Sequence, residues 1–181
     1  MPSLVGSEMC IRDSIKILEL ISLSEINNVV KYNPISGEFT WLKSYGARKI
    51  GGTAGTITTS GYLRIFINGR HYAAHRLAWI ITFGVEPEGI IDHINGIKTD
   101  NRICNLRLAT YSQNSMNSKI NTLNKSGCKG VTWKKESRKW AAYGKLNGKK
   151  KHLGYFNELE DAKKAYCDFA RKHHGEFYRS K

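Results

Sequence analysis

The chain has 181 residues, enough for one domain or two small ones with a modest core, and its 40% hydrophobic content is that of a globular protein. A formal charge of +14 and a pI near 9.7 point to a polyanionic partner, with nucleic acid ahead of a membrane surface. No apolar run approaches the roughly 18 residues that a membrane span needs. The four cysteines (Cys10, Cys104, Cys128 and Cys167) lie far apart with no C-x-x-C pair, which argues against a zinc ribbon and against a disulfide framework. The expectation is a cytoplasmic, non-secreted protein with reduced thiols and no structural zinc.

Residues 1–14 show neither helical nor strand periodicity and lack the basic start and apolar centre of a signal peptide. They look like translated adapter sequence and are read as a non-native or disordered extension. From Ser14 to Lys31, apolar residues at Ile15, Leu18, Ile21, Leu23, Ile26, Val29 and Val30 suggest helix in one or two pieces, the second starting at Ser24. Pro34 and Gly37 punctuate a turn into a strand ending at Trp41. Loop and short strand fill 51–61. Residues 62–67 and 70–73 then read as a β-hairpin, because Asn68-Gly69 tolerates the positive φ of a type I′ turn. Ala74 to Phe83 is a helix with Leu77, Ile80 and Ile81 on one face and Gly84 as its stop. Trp41 and Trp79 are read as core.

The next stretch carries the chemistry. Ile91-Asp92-His93-Ile94-Asn95-Gly96 puts a carboxylate beside an imidazole at the end of a short apolar run. Asp100-Asn101-Arg102 follows, then Asn105-Leu106-Arg107-Leu108 as a second short strand. A helix start comes next, with Thr110 and Gln113 fitting a capping box. Asn114 then falls in the first helical turn, able to face the strand bearing Asp92 and His93. An Asp and an Asn around a hard cation, with a His beside it, suit magnesium-assisted phosphodiester cleavage. Taken singly, Asp92, Asn95 and Asn105 are ordinary turn residues and His93 packs; the ordered set favours a site.

This ordered set, D-H-x-N-G, D-N-R, N-L-R and Q-N, resembles the motif of the phage and intron-encoded HNH homing endonucleases, a ββα fold that holds one metal ion. A Y-x-P-x-x-G-x-F-x-W opening and the A-H-R-L-A-W helix extend the likeness toward the N-terminus. The resemblance implies His93 as general base, Asp92 and Asn114 as ligands of Mg2+ or another divalent cation such as Mn2+, and Asn105 as the Asn that braces the loop. It also implies a phage or bacterial setting. His75, Arg102 and Asn117 are candidates for active-site support. For His75 a phosphate contact and a helix-start hydrogen bond remain equal alternatives, and for Asn117 a solvated surface position is the simpler reading.

After a polar linker from Ser118, the charge changes character. Residues 125–151 hold ten Lys or Arg and one acid, Glu136. Basic and aromatic side chains interleave on three short strands, with an Asn147-Gly148 turn before the last. A helix follows with Asn157 as cap, an apolar stripe of Leu159, Ala162, Tyr166, Phe169, Ala170 and His173, and Gly175 at its end. The segment from Ser126 to Phe177 resembles the ethylene-response-factor DNA-binding domain, through S-G-x-K-G-V-x-W, K-W-x-A, L-G-x-F, A-x-x-A-Y and H-G-E-F. That resemblance implies a three-stranded sheet in the DNA major groove, read through Lys129, Gly130, Thr132, Lys134, Tyr143, Lys145, Lys150 and His152. Several arginines of that family are Lys or Thr here, so phosphate anchoring is expected rather than guanine reading. Trp140 is read as core.

The expected fold is α+β: a ββα-metal HNH nuclease domain preceded by small β-hairpins (15–117), a linker (118–125), and a three-stranded antiparallel sheet packed on one helix (126–181). The expected function is a monomeric, metal-dependent endonuclease of the homing type acting on double-stranded DNA and targeted by its C-terminal unit. The alternatives are a catalytically inactive DNA-binding regulator and an RNA-binding protein.

Overall fold

A computed structural model describes residues 21–146 and 148–179. The extension at 1–14, the first part of the helix expected from Ser14 and the Asn147 half of the last turn therefore lie outside the described residues. In chain order the elements are α1 (Leu23–Asn27), β1 (Val30–Tyr32), β2 (Phe39–Trp41), β3 (Thr56–Ile57), β4 (Leu63–Ile67), β5 (Arg70–Ala73) and α2 (Ala74–Phe83). They continue with β6 (Ile90–His93), β7 (Leu106–Ala109), α3 (Tyr111–Asn117), β8 (Val131–Lys134), β9 (Lys139–Leu146), β10 (Lys149–Phe156) and α4 (Leu159–His174).

The architecture is α+β, built from four small antiparallel sheets: β1–β2, β3–β4–β5, β6–β7, and a sheet with β9 between β8 and β10. Two separate apolar clusters hold it. Ile26, Val30, Phe39, Ile65, Ile67 and Leu77 are almost fully buried in the first, where α2 lies across β4 and β5. Val131, Ala142, Ala162, Tyr166 and Ala170 form the second, where α4 covers one face of the last sheet.

Local signals explain much of this. Asn68 and Gly69 take φ of 48° and 81° and join β4 to β5 as a tight turn. Gly84 ends α2 in the left-handed conformation, its N–H reaching the Ile80 carbonyl. Other elements depart from expectation. Ser22, not Ser24, caps α1, because its hydroxyl accepts from the Glu25 N–H while the Glu25 carboxylate accepts the Ser22 N–H in return. Val30 has left the helix and pairs with Trp41, since burying it against β2 outweighs continuing a short helix. At α4 the N-cap position falls on Glu158 rather than Asn157, and His174 rather than His173 joins the buried stripe. The end of the expected linker is a built turn, in which Asn124 Oδ1 accepts the N–H of Ser126 and Gly127. Buried Ser126 there donates its hydroxyl to neighbouring carbonyls.

Candidate active site

The β6–β7 hairpin sets Asp92 opposite Arg107 and His93 opposite Leu106. Successive side chains of a strand leave opposite faces, so two adjacent residues enter different surroundings. Asp92 turns toward α3 and Arg107. Its Oδ2 accepts from Arg107 Nε at 2.9 Å and Nη2 at 2.8 Å, and Asn117 Nδ2 lies 2.9 and 3.0 Å from Oδ1 and Oδ2. Asn117 also donates to the His93 carbonyl at 2.8 Å. Asn117 is 5% exposed, so the solvated reading of this residue is overturned. Its amide ties α3 to the strand that carries both candidate residues.

His93 is 4% exposed. Its Nε2 lies 3.3 Å from Asn101 Oδ1. Asn101 is itself fixed, since its carbonyl accepts from Tyr32 Oη at 2.7 Å and its Nδ2 donates to the Thr99 carbonyl at 3.2 Å. An amide oxygen can only accept, so Nε2 carries the proton and the neutral ring keeps its lone pair on Nδ1. Burial lowers the His93 pKa, partly opposed by the Asn101 bond and by Asp92 and Asp100. Behind it, the His75 ring sits edge-on at 5.3 Å and is pushed down to about 4 by burial, then by His93 and Arg76. His75 Nδ1 is buried without a hydrogen-bond partner among the described residues. His75 packs edge-on against His93 and is not among the residues that line the cleft.

The loop between the strands is braced from within. Asn105 Oδ1 accepts the Asn95 N–H at 3.0 Å, and its Nδ2 donates to the Asp100 carbonyl at 2.8 Å. Arg102 grips Asp100 through Nε at 2.8 Å and Nη2 at 2.6 Å, and this bond holds the Asp100 carboxyl down at about 2. Asn105 and Arg102 shape the loop from outside the cleft wall.

A cleft of about 730 Å³ opens over the hairpin, lined by Asp92, His93, Lys98, Asn114, Lys119 and Arg179 among others. Asn114 reaches it from the first turn of α3, where Thr110 and Gln113 form the capping box read from the sequence. Asp92 Oδ1 receives one hydrogen bond against three on Oδ2, which leaves it room for a cation. Among the described residues no group of three or more His, Cys, Asp or Glu side chains is placed to hold a metal. A metal here would rest on Asp92 and the Asn114 amide oxygen. Such a sparse, hard-oxygen set fits an ion that keeps waters and substrate phosphate in its shell.

The strand register places Thr132, Lys134, Tyr143, Lys145, Lys150 and His152 on one face of the β8–β9–β10 sheet, opposite α4. Thr132, Lys145, Lys150 and His152 are exposed. Lys150 Nζ sits 3.8 Å over the Tyr143 ring, which packs against His152. A bulge at Leu153, between His152 and Gly154, shifts the register of β10. Trp140 packs on the other face, toward the core. Lys129 stands apart from the set: burial lowers its pKa, and its ammonium donates to the Met116 carbonyl at the end of α3 at 2.8 Å.

Sequence reading missed three residues. Asn101 orients His93, Arg107 holds Asp92, and Arg179 enters the cleft from beyond α4. The first two sit inside the D-N-R and N-L-R triplets, where a signal was available. Arg179 had none.

A carboxylate and an imidazole on one strand, an Asn from the following helix and a braced loop between two short strands define an HNH endonuclease. The chain belongs to that family, whose model matches residues 72–116. Over 106 residues it is 36% identical to Protein 3.8 of Escherichia phage T7, spanning 58% of this chain and 87% of that protein. A solved structure titled "DNA binding and cleavage by the HNH homing endonuclease I-HmuI" is 30% identical, with a TM-score of 0.40. The match covers 54% of this chain and 55% of that one, so the chain spans about half that protein's length. The family match takes in His75, Asp92, His93, Asn105 and Asn114 and ends one residue before Asn117.

Proposed function

We propose that the protein hydrolyses phosphodiester bonds in double-stranded DNA at the cleft over β6–β7, with the β8–β10 sheet holding the duplex. The observation that carries this reading is His93. Its Nε2 is tied to Asn101 and its ring is kept neutral by burial, so Nδ1 is left as the base. His93 accepts a proton from water at Nδ1 as the water oxygen bonds to phosphorus. The bond from phosphorus to the 3′-oxygen breaks and that oxygen takes a proton from a solvent water, giving a 5′-phosphate and a 3′-hydroxyl. A divalent cation held by Asp92 and Asn114, Mg2+ or Mn2+, would supply charge neutralisation at the phosphate and at the departing oxygen. Arg107 and Asn117 keep Asp92 aimed, and Asn105 braces the loop beside the cleft.

The C-terminal unit, from about Ser126 onward, is the ethylene-response-factor-type anchor in this reading. Its exposed lysines supply charge to phosphates. Tyr143 and His152, in ring contact with each other, lie on the same face as these lysines. A family match to the nuclease and an excess of positive charge both support DNA as the partner. A regulator with an idle nuclease fold is the rival reading.

Supercoiled plasmid carrying native phage or host DNA separates the two. Nicking with Mg2+ that stops with EDTA and with His93→Ala is the expected result. Tight duplex binding by the wild type, without any metal-dependent nicking of DNA that contains its target, would replace this reading with the regulator.

A further inference from the structure

The end of the described chain belongs to the nuclease cleft as much as to the second unit. Arg107 Nη1, whose guanidinium holds Asp92, donates to the Glu176 carbonyl at 2.8 Å, and the same guanidinium lies 3.8 Å over the Phe177 ring. Two residues on, Arg179 reaches across the cleft and lies against Gly96, in the D-H-x-N-G motif. A Cβ at Gly96 would fall 1.6 Å from Arg179 Nη1, so the glycine leaves the space that the guanidinium fills. Arg179 Nη1 is buried and has no hydrogen-bond partner among the described residues.

An unmet guanidinium donor inside a cleft is costly unless something supplies an acceptor. Asp92, the one acid lining the cleft among the described residues, is already engaged by Arg107 and Asn117. Lys98 and Lys119 add positive charge to the same walls. The matching acceptor is an oxyanion brought in from outside, and a planar fork of donors suits the paired oxygens of a phosphodiester. We infer that Arg179 is a phosphate-contact residue of the nuclease cleft, contributed by the C-terminal unit and gripping the DNA backbone beside the cleaved bond. This inference rests on the proposed reading of the cleft as a DNA-binding site. It makes the second unit part of the active site itself, not a tether at a distance.

The test compares the full chain with Arg179→Ala and Arg179→Lys, using a linear duplex of mixed sequence for binding and the nicking substrate for rate. Binding is measured in EDTA across a salt series. Arg179→Ala is expected to flatten the log–log salt slope by about 0.9, the share of one phosphate contact. With Mg2+ and saturating protein it is expected to slow single-turnover cleavage by about tenfold or more, as losing one charge-stabilising donor does. Arg179→Lys should restore the slope, because it keeps the charge, but not the full rate, because it lacks the fork. The thermal midpoint of Arg179→Ala should not fall below that of the wild type, since the guanidinium makes no hydrogen bond to the described residues and its removal takes away a buried unmet donor. Wild-type slope and wild-type rate in a folded Arg179→Ala would overturn the inference. If the wild type binds duplex but never nicks it, the hydrolytic reading falls, while the slope still decides whether Arg179 meets a phosphate.

Discussion

Asp92 and His93 are each about 4% exposed and held by Arg107, Asn117 and Asn101, whereas Lys145, Lys150 and His152 stand in solvent on the open face of β8–β10. Both regions are polar, and in the proposed reading they are polar for different ends. A group that must take a proton or aim a charge has to be oriented before substrate arrives, and burial with fixed partners does that. A surface that gathers phosphates needs density of charge more than position. Single substitutions should therefore act almost as all or none in the first region and in small, additive steps in the second.

The largest departure should come from His93. His93→Ala is expected to lose on the order of 10² to 10⁴ in cleavage rate with duplex affinity kept, as removal of a general base does. Single-turnover rates set against binding isotherms check it, and a variant that cuts like the wild type would assign the base elsewhere.

Next comes the support beneath Asp92. Arg107→Met removes two hydrogen bonds to Asp92, a third to the Glu176 carbonyl, and the charge facing a buried carboxylate, a loss of about 3 kcal/mol by analogy with broken buried pairs. Urea unfolding at pH 7 measures this. A change below about 1 kcal/mol would place Arg107 with ordinary surface ion pairs instead.

Acid sensitivity should follow from His75. Its folded pKa, about 4, lies below the ordinary 6.5, so the unfolded chain binds the extra proton first as pH falls. Stability is then full above pH 6.5 and declines down to about pH 4, by up to ~3 kcal/mol for a shift of this size. In His75→Leu that part of the pH dependence should vanish, leaving the part owed to His93. Parallel pH–stability curves for the two proteins would show that His75 titrates normally.

The smallest effects belong to the sheet. Lys145→Ala and Lys150→Ala should each weaken duplex binding modestly and each flatten the salt slope by about 0.9, adding together in the double variant. A loss of more than a hundredfold from either alone would give that lysine a role in reading bases and narrow the contrast drawn above.

What could be read from sequence was local. Thr110 with Gln113, Asn68 with Gly69, and Asp92 beside His93 each announce themselves within a few residues, because caps, turns and strand ends are made by near neighbours. The alternation of basic and aromatic residues from Val131 to Leu153 likewise gave the three strands and their open face. What escaped depends on register between distant segments. Nothing near Asn117 shows that its amide is buried 25 residues from Asp92 in sequence. Arg107 gains its role from facing Asp92 across the hairpin. Ser22 outcompetes Ser24 because Glu25 stands three residues after it. Arg179 depends on how the two units meet, which no periodicity encodes.

The hold that Glu176 and Phe177 keep on Arg107 carries a constraint for anyone who would rebuild the protein. A different C-terminal unit cannot be exchanged at the polar stretch after α3 alone, as though the two parts were beads on a string. The graft would have to bring a carbonyl, an aromatic ring and an arginine to the same places, or the nuclease would inherit a loosened carboxylate along with its new partner.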